Sequence, residues 1–304
     1  MPRFGYEEGK NLSAFLRGLG RPGRTALLAA PGVLFFVVFF VVPLLSLFLL
    51  SLDKPTLGNA SIQWMFDFRN FERFFGRAIY YEAALRSAGL AALVSLIALI
   101  LGYPLAFLIA KTTDVRRNTT LMILVLSAMQ LDMVIRLFGL MVLMGDVGLI
   151  NEFFRWAGLI GDEPLPLMYN FAGVVVGLVQ FSLPFMILSL VGVIQGINPA
   201  LEEAARSLGA TRSQTFWKIT IPMSMPGILA GLLLVFAISF SSYVVPTLMG
   251  GWTVVVLPIH IFQQVVELGK WQFGAAIAVV MFAISFIIML IYQRAAVRAS
   301  GGRV

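Results

Sequence analysis

The chain has 304 residues, 59% hydrophobic and only 12% charged, with a mean hydropathy of +0.91. Soluble domains run about 45–50% apolar and about 25% charged, so this composition excludes an ordinary water-soluble enzyme or binding module and makes lipid the solvent. The net charge of +7 would suggest a nucleic-acid partner in a soluble chain, but here the basic residues sit between long apolar runs and read as an orientation signal, while the absence of cysteine removes disulfides, thiolate metal sites and cysteine nucleophiles.

A bilayer core of about 30 Å takes roughly 20 apolar residues in helix. On that measure a 26-residue cytoplasmic tail is followed by a transmembrane domain over 27–293 and a short tail over 294–304. The first span covers about 27–52 and contains VLFFVVFFVVPLLSLFLL. It is too long for the apolar region of a signal peptide, and no A-x-A site follows it. Residues 53–82 form a long external segment with aromatics and mixed charge, in the manner of an interfacial amphipathic stretch. The second span covers about 83–110, with Arg86 near its external end, placed to snorkel to the interface.

The third span, about 119–144, is interrupted by Asp132 and Arg136. Four residues apart on one helix they share a face, and ionisable groups at membrane depth are costly and turn to a bundle interior or an aqueous cavity. Two readings stand side by side. In one, the two form a buried ion pair that fixes helix packing. In the other, Asp132 attracts a cationic solute and Arg136 organises the pathway. Residues 145–167 hold a short apolar helix between turn signals. The fourth span covers about 168–194, the fifth about 221–245 and the sixth about 273–292. Gln130, Gln180, Ser239, Ser241, Ser242 and Tyr243 are polar candidates for a cavity, although serine and glutamine also serve as hydrogen-bonding glue between helices. Pro43, Pro104 and Pro184 are candidate kink positions.

Twenty of the 22 lysines and arginines fall between spans, fourteen on one side and six on the other. The richer side includes both termini, the segment with Lys111, Arg116 and Arg117, and the segment with Arg206, Arg212 and Lys218. The positive-inside rule puts that side, and both termini, in the cytoplasm.

The loop between the fourth and fifth spans, about 196–221, carries the most structure for its length. Asn198-Pro199 is a helix start. Glu202 and Glu203 sit in the first turn, where they suit the helix dipole. Ala204 and Ala205 give a small, closely approachable surface, and Gly209 ends the helix as a left-handed cap. A second helix begins near Thr211 and carries Phe216 and Trp217. The expected object is a compact cytoplasmic knob of two short helices joined at a glycine.

Residues 203–222, EAARSLGATRSQTFWKITIP, resemble the cytoplasmic loop signature of ABC importer permeases, E-A-A, three residues, G, nine residues, I-x-L-P, with Ile221 at the usual leucine. The stretches VIRLFGLMVL, GDVGLIN and FSSYVVPTLMGG are similar to the polyamine-type (spermidine/putrescine) group of that family. The resemblance implies an all-α bundle of the type I importer permease kind and a multi-pass place in the bacterial inner membrane. It implies ABC ATPase subunits, a second homologous permease and an extracytoplasmic binding protein as partners. It also implies that Glu203, Ala204, Ala205 and Gly209 touch the ATPase, with Glu202, Ser207, Leu208 and Ala210 in the same knob. ATP and Mg belong to the ATPase, since no G-x-x-x-x-G-K-[ST] occurs here. His260 has no metal-partner pattern and reads as a structural or interfacial histidine. The alternative reading is a secondary transporter or channel that works without an ATPase; the repeated halves and broken helices of such folds are not evident from sequence.

Overall fold

A computed structural model describes residues 21–54 and 66–299, with side chains from 29 to 294, and every regular element among them is helical. Most of the N-terminal tail, part of the external segment 53–82 and the last five residues lie outside the described residues. Helix α1 (Arg21–Phe36) runs through a π turn (Val37–Val41) into α2 (Val42–Ser51). The π turn ends two residues before Pro43, whose ring would meet the carbonyl four residues back in a regular helix; the wider turn absorbs it. Short α3 (Arg69–Phe75) leads to α4 (Ala78–Lys111), which starts earlier than expected and passes Pro104 as one helix. Arg86 does not end free at the interface: its Nη1 donates to the Val255 carbonyl at 3.3 Å.

The third span departs most from expectation. A single helix over 119–144 is replaced by α5 (Val115–Gln130) and α6 (Met133–Met144), separated at Leu131 and Asp132. After α7 (Leu149–Trp156), α8 (Phe171–Gln195) is the fourth span, continuous through Pro184. The loop then gives α9 (Pro199–Ser207), α10 (Arg212–Thr215), a π turn (Phe216–Thr220) and α11 (Ile221–Met223). Helix α12 (Met225–Phe240) has only 16 residues, about 24 Å at 1.5 Å per residue and short of a bilayer core. The segment Arg212–Met223 supplies the rest, bent by 60° against it at Ser224. The fifth span therefore ends at Phe240, not near 245, and the chain breaks over 241–243 before α13 (Val244–Gly250). Next come α14 (Leu257–Phe262), a π turn (Gln263–Glu267) and α15 (Trp271–Ala299), which carries helix into the expected C-terminal tail.

By length and composition five helices among the described residues are candidates to cross a membrane: Ala29–Ser51, Ala78–Lys111, Met133–Trp156, Phe171–Gln195 and Trp271–Arg294. The bent pair makes six. Broken helices, not evident from sequence, are thus a feature of this bundle.

Helices α4, α8 and α12 form the central trio, with α15 packed on α12 and α2. Lipid offers little hydrophobic drive for helices to associate, so close packing of small residues carries the contact. Gly227 and Gly231 place α12 against α8: a Cβ at Gly227 would stand 2.9 Å from the Val193 side chain, and one at Gly231 2.6 Å from Met186 Sδ. Val94, Ala98, Leu178, Met186, Leu190 and Val235 are buried in this core. Leu85, Ile100, Leu124 and Ile287 are exposed, as outer faces turned to acyl chains are.

Candidate functional site

The knob is built by local capping chemistry. The Asn198 side chain accepts from the Ala200 N–H at 3.0 Å, with Pro199 at the first helical position. At the other end of α9, the Gly209 N–H donates to the Arg206 carbonyl at 2.9 Å and the Ala210 N–H to the Ala205 carbonyl at 3.0 Å. This paired closure is a Schellman motif, and Gly209 takes the required left-handed conformation at φ +91°. Thr211 then opens α10 with a reciprocal capping box: its hydroxyl accepts from the Gln214 N–H at 3.2 Å, and its own N–H donates to Gln214 Oε1 at 2.9 Å. Asn198, Gly209 and Thr211 each do what the sequence predicts.

The knob is clamped to the bundle by contacts that no local pattern announces. Lys111 Nζ, at the end of α4, donates to Glu202 Oε1 at 2.7 Å, and the Thr220 hydroxyl donates to the same oxygen at 3.0 Å. Burial opposes ionisation of Glu202, but the hydrogen bonds from Lys111 and Thr220, with the charges of Lys111 and Arg206, hold its carboxyl below the ordinary carboxylate value. Phe216 packs edge-on against Tyr103 and Phe107 of α4, at 5.8 and 5.4 Å. Tyr103 Oη lies 3.0 Å from Ser224 Oγ, at the 60° bend.

Glu202, with a side chain 15% exposed, is thus turned into the protein and away from the free surface of α9. Glu203, Ala204, Ser207, Leu208 and Gly209 are exposed; Ala205 and Ala210 are half-buried. Leu208 is 89% exposed. Leu201, absent from the expected set, joins this face, and the signal that finds it is the helical spacing of 201, 204 and 208.

At membrane depth the expected pairing fails. Asp132 is the N-cap of α6, and its carboxylate accepts from the Val134 N–H at 2.8 Å. Arg136 instead lies over the Phe181 ring, 4.9 Å from its centroid. Its Nε and Nη1 are buried with no hydrogen-bond partner among the described residues. The reason is positional: a cap residue turns back to its own helix's free N–H groups, so the shared-face argument does not apply to it.

Gln130 ends α5 and is exposed. Gln180 Oε1, Ser239 Oγ and Ser242 Oγ are buried without a partner among the described residues. Such buried atoms are ordinarily satisfied by protein groups, ordered water or an ion. Ser241 returns its hydroxyl to the Ala237 carbonyl at 2.8 Å. Tyr243 stacks on Phe262 at 4.8 Å. His260 is buried against Tyr80, at 5.2 Å between ring centroids, and no group of three or more metal-ligating side chains occurs among the described residues.

A family model described as "Binding-protein-dependent transport system inner membrane component" matches residues 9–300. The spermidine/putrescine transport system permease protein PotB of Salmonella typhimurium is 35% identical over 260 residues, 85% of this chain and 89% of that one. PotB of Escherichia coli is 35% identical over 85% of this chain and 93% of its own. The crystal structure of a bacterial alginate ABC transporter in complex with an alginate pentasaccharide-bound periplasmic protein includes a chain of the same fold. The TM-score is 0.72 at 18% identity, covering 90% of this chain and 94% of that chain.

Proposed function

This chain belongs to the family of binding-protein-dependent transport system inner membrane components, and from that premise we propose how it works: it forms one half of the translocation pathway for a polyamine or related organic cation and couples that pathway to a partner ATPase through the knob at 198–221. The substrate class follows from the two permeases that are 35% identical over most of the chain. The partners of this reading are two ABC ATPase subunits that bind ATP and Mg, a second homologous permease and an external binding protein. Both termini face the cytoplasm.

The observation that carries the coupling role is the double anchorage of α9. Its exposed face, with Leu201, Ala204 and Leu208, is free to dock, while Glu202 on the opposite side ties it to the end of α4 and to the turn before the bend into α12. A push on α9 is thereby delivered to two of the three central helices. The permease makes and breaks no covalent bond; it converts closure of the ATPases into movement of α4 and α12, and differential contacts in the two states set the bias. Gly209 provides the test. No atom lies within 4 Å of where its Cβ would stand, so a substitution there acts through the backbone alone, at about 1–2 kcal/mol for a residue forced into the left-handed region. Gly209→Val should insert in the membrane, lose co-purification with the ATPase and lose transport. Gly209→Asn, which tolerates that region, should retain most of both. Wild-type transport and ATPase association in Gly209→Val would overturn the coupling role.

A further inference from the structure

The break after α12 builds a second candidate site on the other side of the molecule from the knob. A cavity of about 240 Å³ lies among α13, α14 and the π turn that follows α14. It is lined by three aromatic residues, Tyr243, Trp252 and Phe262, together with Gln263, Thr247 and the acidic Glu267. Among the described residues no lysine or arginine lines it, and Glu267 is in no ion pair. Aromatic faces are electron-rich and attract an ammonium group, and a carboxylate beside them supplies charge and hydrogen-bond acceptors.

The parts are held in place. Tyr243 and Phe262 stack with ring planes 28° apart, which fixes two walls against each other. The 250–253 corner that presents Trp252 is tied to the start of α8: the Tyr169 N–H donates to the Met249 carbonyl at 2.8 Å, and the Thr253 hydroxyl to the Tyr169 carbonyl at 2.8 Å. Gln263 and Glu267 open and close the π turn, in which the Leu268 N–H reaches back to the Gln263 carbonyl at 3.0 Å. Such turns recur at functional sites because the extra residue re-aims the side chains around it. Trp252 is 74% exposed, so the cavity is entered from outside the fold.

A contrasting cavity of about 330 Å³ lies among α2, α14, the π turn and α15; among the described residues its lining has polar side-chain atoms at Ser46 and Trp271 alone and no charged group, so it offers an ammonium group nothing.

We propose that Tyr243, Trp252, Phe262 and Glu267 form an ammonium-binding vestibule of this permease, which takes one alkylammonium end of an extended amine before the solute enters the bundle. The inference rests on the amine reading of the substrate given above and deepens it. At about 240 Å³ the cavity is below the usual range for a drug-sized ligand, roughly 300–1,000 Å³, which suits one end of a linear molecule rather than a ring system.

The test uses the permease–ATPase assembly in lipid nanodiscs, without binding protein, and saturation-transfer NMR with putrescine as probe and butane-1,4-diol as its uncharged counterpart. Putrescine should show contact and the diol none. Glu267→Gln should weaken putrescine about tenfold, as should Trp252→Ala, while Glu267→Asp retains most of the binding. Co-purification of each variant with the ATPase shows that it is folded. Absence of a putrescine signal in wild type, or an unchanged signal in Glu267→Gln, overturns the vestibule. So does a Glu267→Gln variant that binds putrescine normally but no longer docks a binding protein, which would make the cavity part of a docking face. Uptake of labelled putrescine by the complete wild-type transporter separates the two levels. Uptake without a Glu267 effect on binding removes the vestibule alone; no uptake of any amine removes the substrate reading and the vestibule with it.

Discussion

Asp132 and Arg136 show how a short spacing acquires its meaning from where a helix begins. Asp132 closes the N-terminus of α6 through its bond to the Val134 N–H, and Arg136, one turn later, rests on Phe181. Asparagine caps as well as aspartate, whereas alanine forfeits about 1 kcal/mol. Asp132→Asn should therefore assemble normally, because no partner of Arg136 is lost, and Asp132→Ala should lower thermal stability modestly. A further change of Arg136→Gln should not rescue Asp132→Ala, as it would if the two formed an ion pair. Thermal unfolding of the wild type and these three variants in detergent decides the matter, and rescue would reinstate the pair. Sequence spacing alone does not distinguish these cases, since i,i+4 places two residues on one face only when both lie inside the same helix. Asn198 and Gly209 were legible because their chemistry is complete within a few residues: a side chain meets its own helix's free N–H groups, and a glycine meets a required φ.

The helices divide along the same line. Spans two, four and six are long apolar runs whose length and type follow from composition, with ends a few residues off. Spans three and five are interrupted, and their breaks at Asp132, Ser224 and 241–243 are set by caps and tertiary contacts such as Tyr103 to Ser224, 121 residues away in the chain. The seating of α9 is of the second kind, since Lys111 and Glu202 are 91 residues apart. Its pH dependence follows from the depressed Glu202 carboxyl. A group whose folded pKa is lowered contributes stability that is fully present above its unfolded value and is lost as pH falls through the folded one. Amide hydrogen exchange in Pro199–Ser207 should thus be slow at neutral pH and, after correction for intrinsic rates, accelerate once the pH drops below the ordinary carboxylate range. Glu202→Gln should show the accelerated exchange at neutral pH and little further change on acidification. Equal protection in wild type and Glu202→Gln at neutral pH would mean that the bridge does not hold the knob.

Coupling by the knob has meaning only if 198–221 lies on the ATPase side of the membrane, so orientation is the property on which the whole molecule depends. The argument for it is the fourteen-to-six division of basic residues between the two sides. The bent fifth span puts the knob at an interface without choosing the side. Helix α12 alone is too short to cross, so the segment Arg212–Met223 must contribute at the interface, and its exposed Arg212, Trp217 and Lys218 suit a headgroup region. The chain has no cysteine, so single cysteines can be introduced against a silent background. Val115, Leu159, Leu208 and Val266 are all exposed in the fold, at 77%, 67%, 89% and 63%. In intact cells a membrane-impermeant maleimide should label Leu159→Cys and Val266→Cys and leave Val115→Cys and Leu208→Cys unmodified; in inverted vesicles the pattern should reverse. Labelling of Leu208→Cys from outside would place the knob away from any cytoplasmic ATPase and end the coupling role. Labelling of Leu159→Cys from inside, with Leu208→Cys still internal, would mean that the broken third span does not cross as α5 and α6 together, and the pathway would have to be rebuilt around Met133–Trp156.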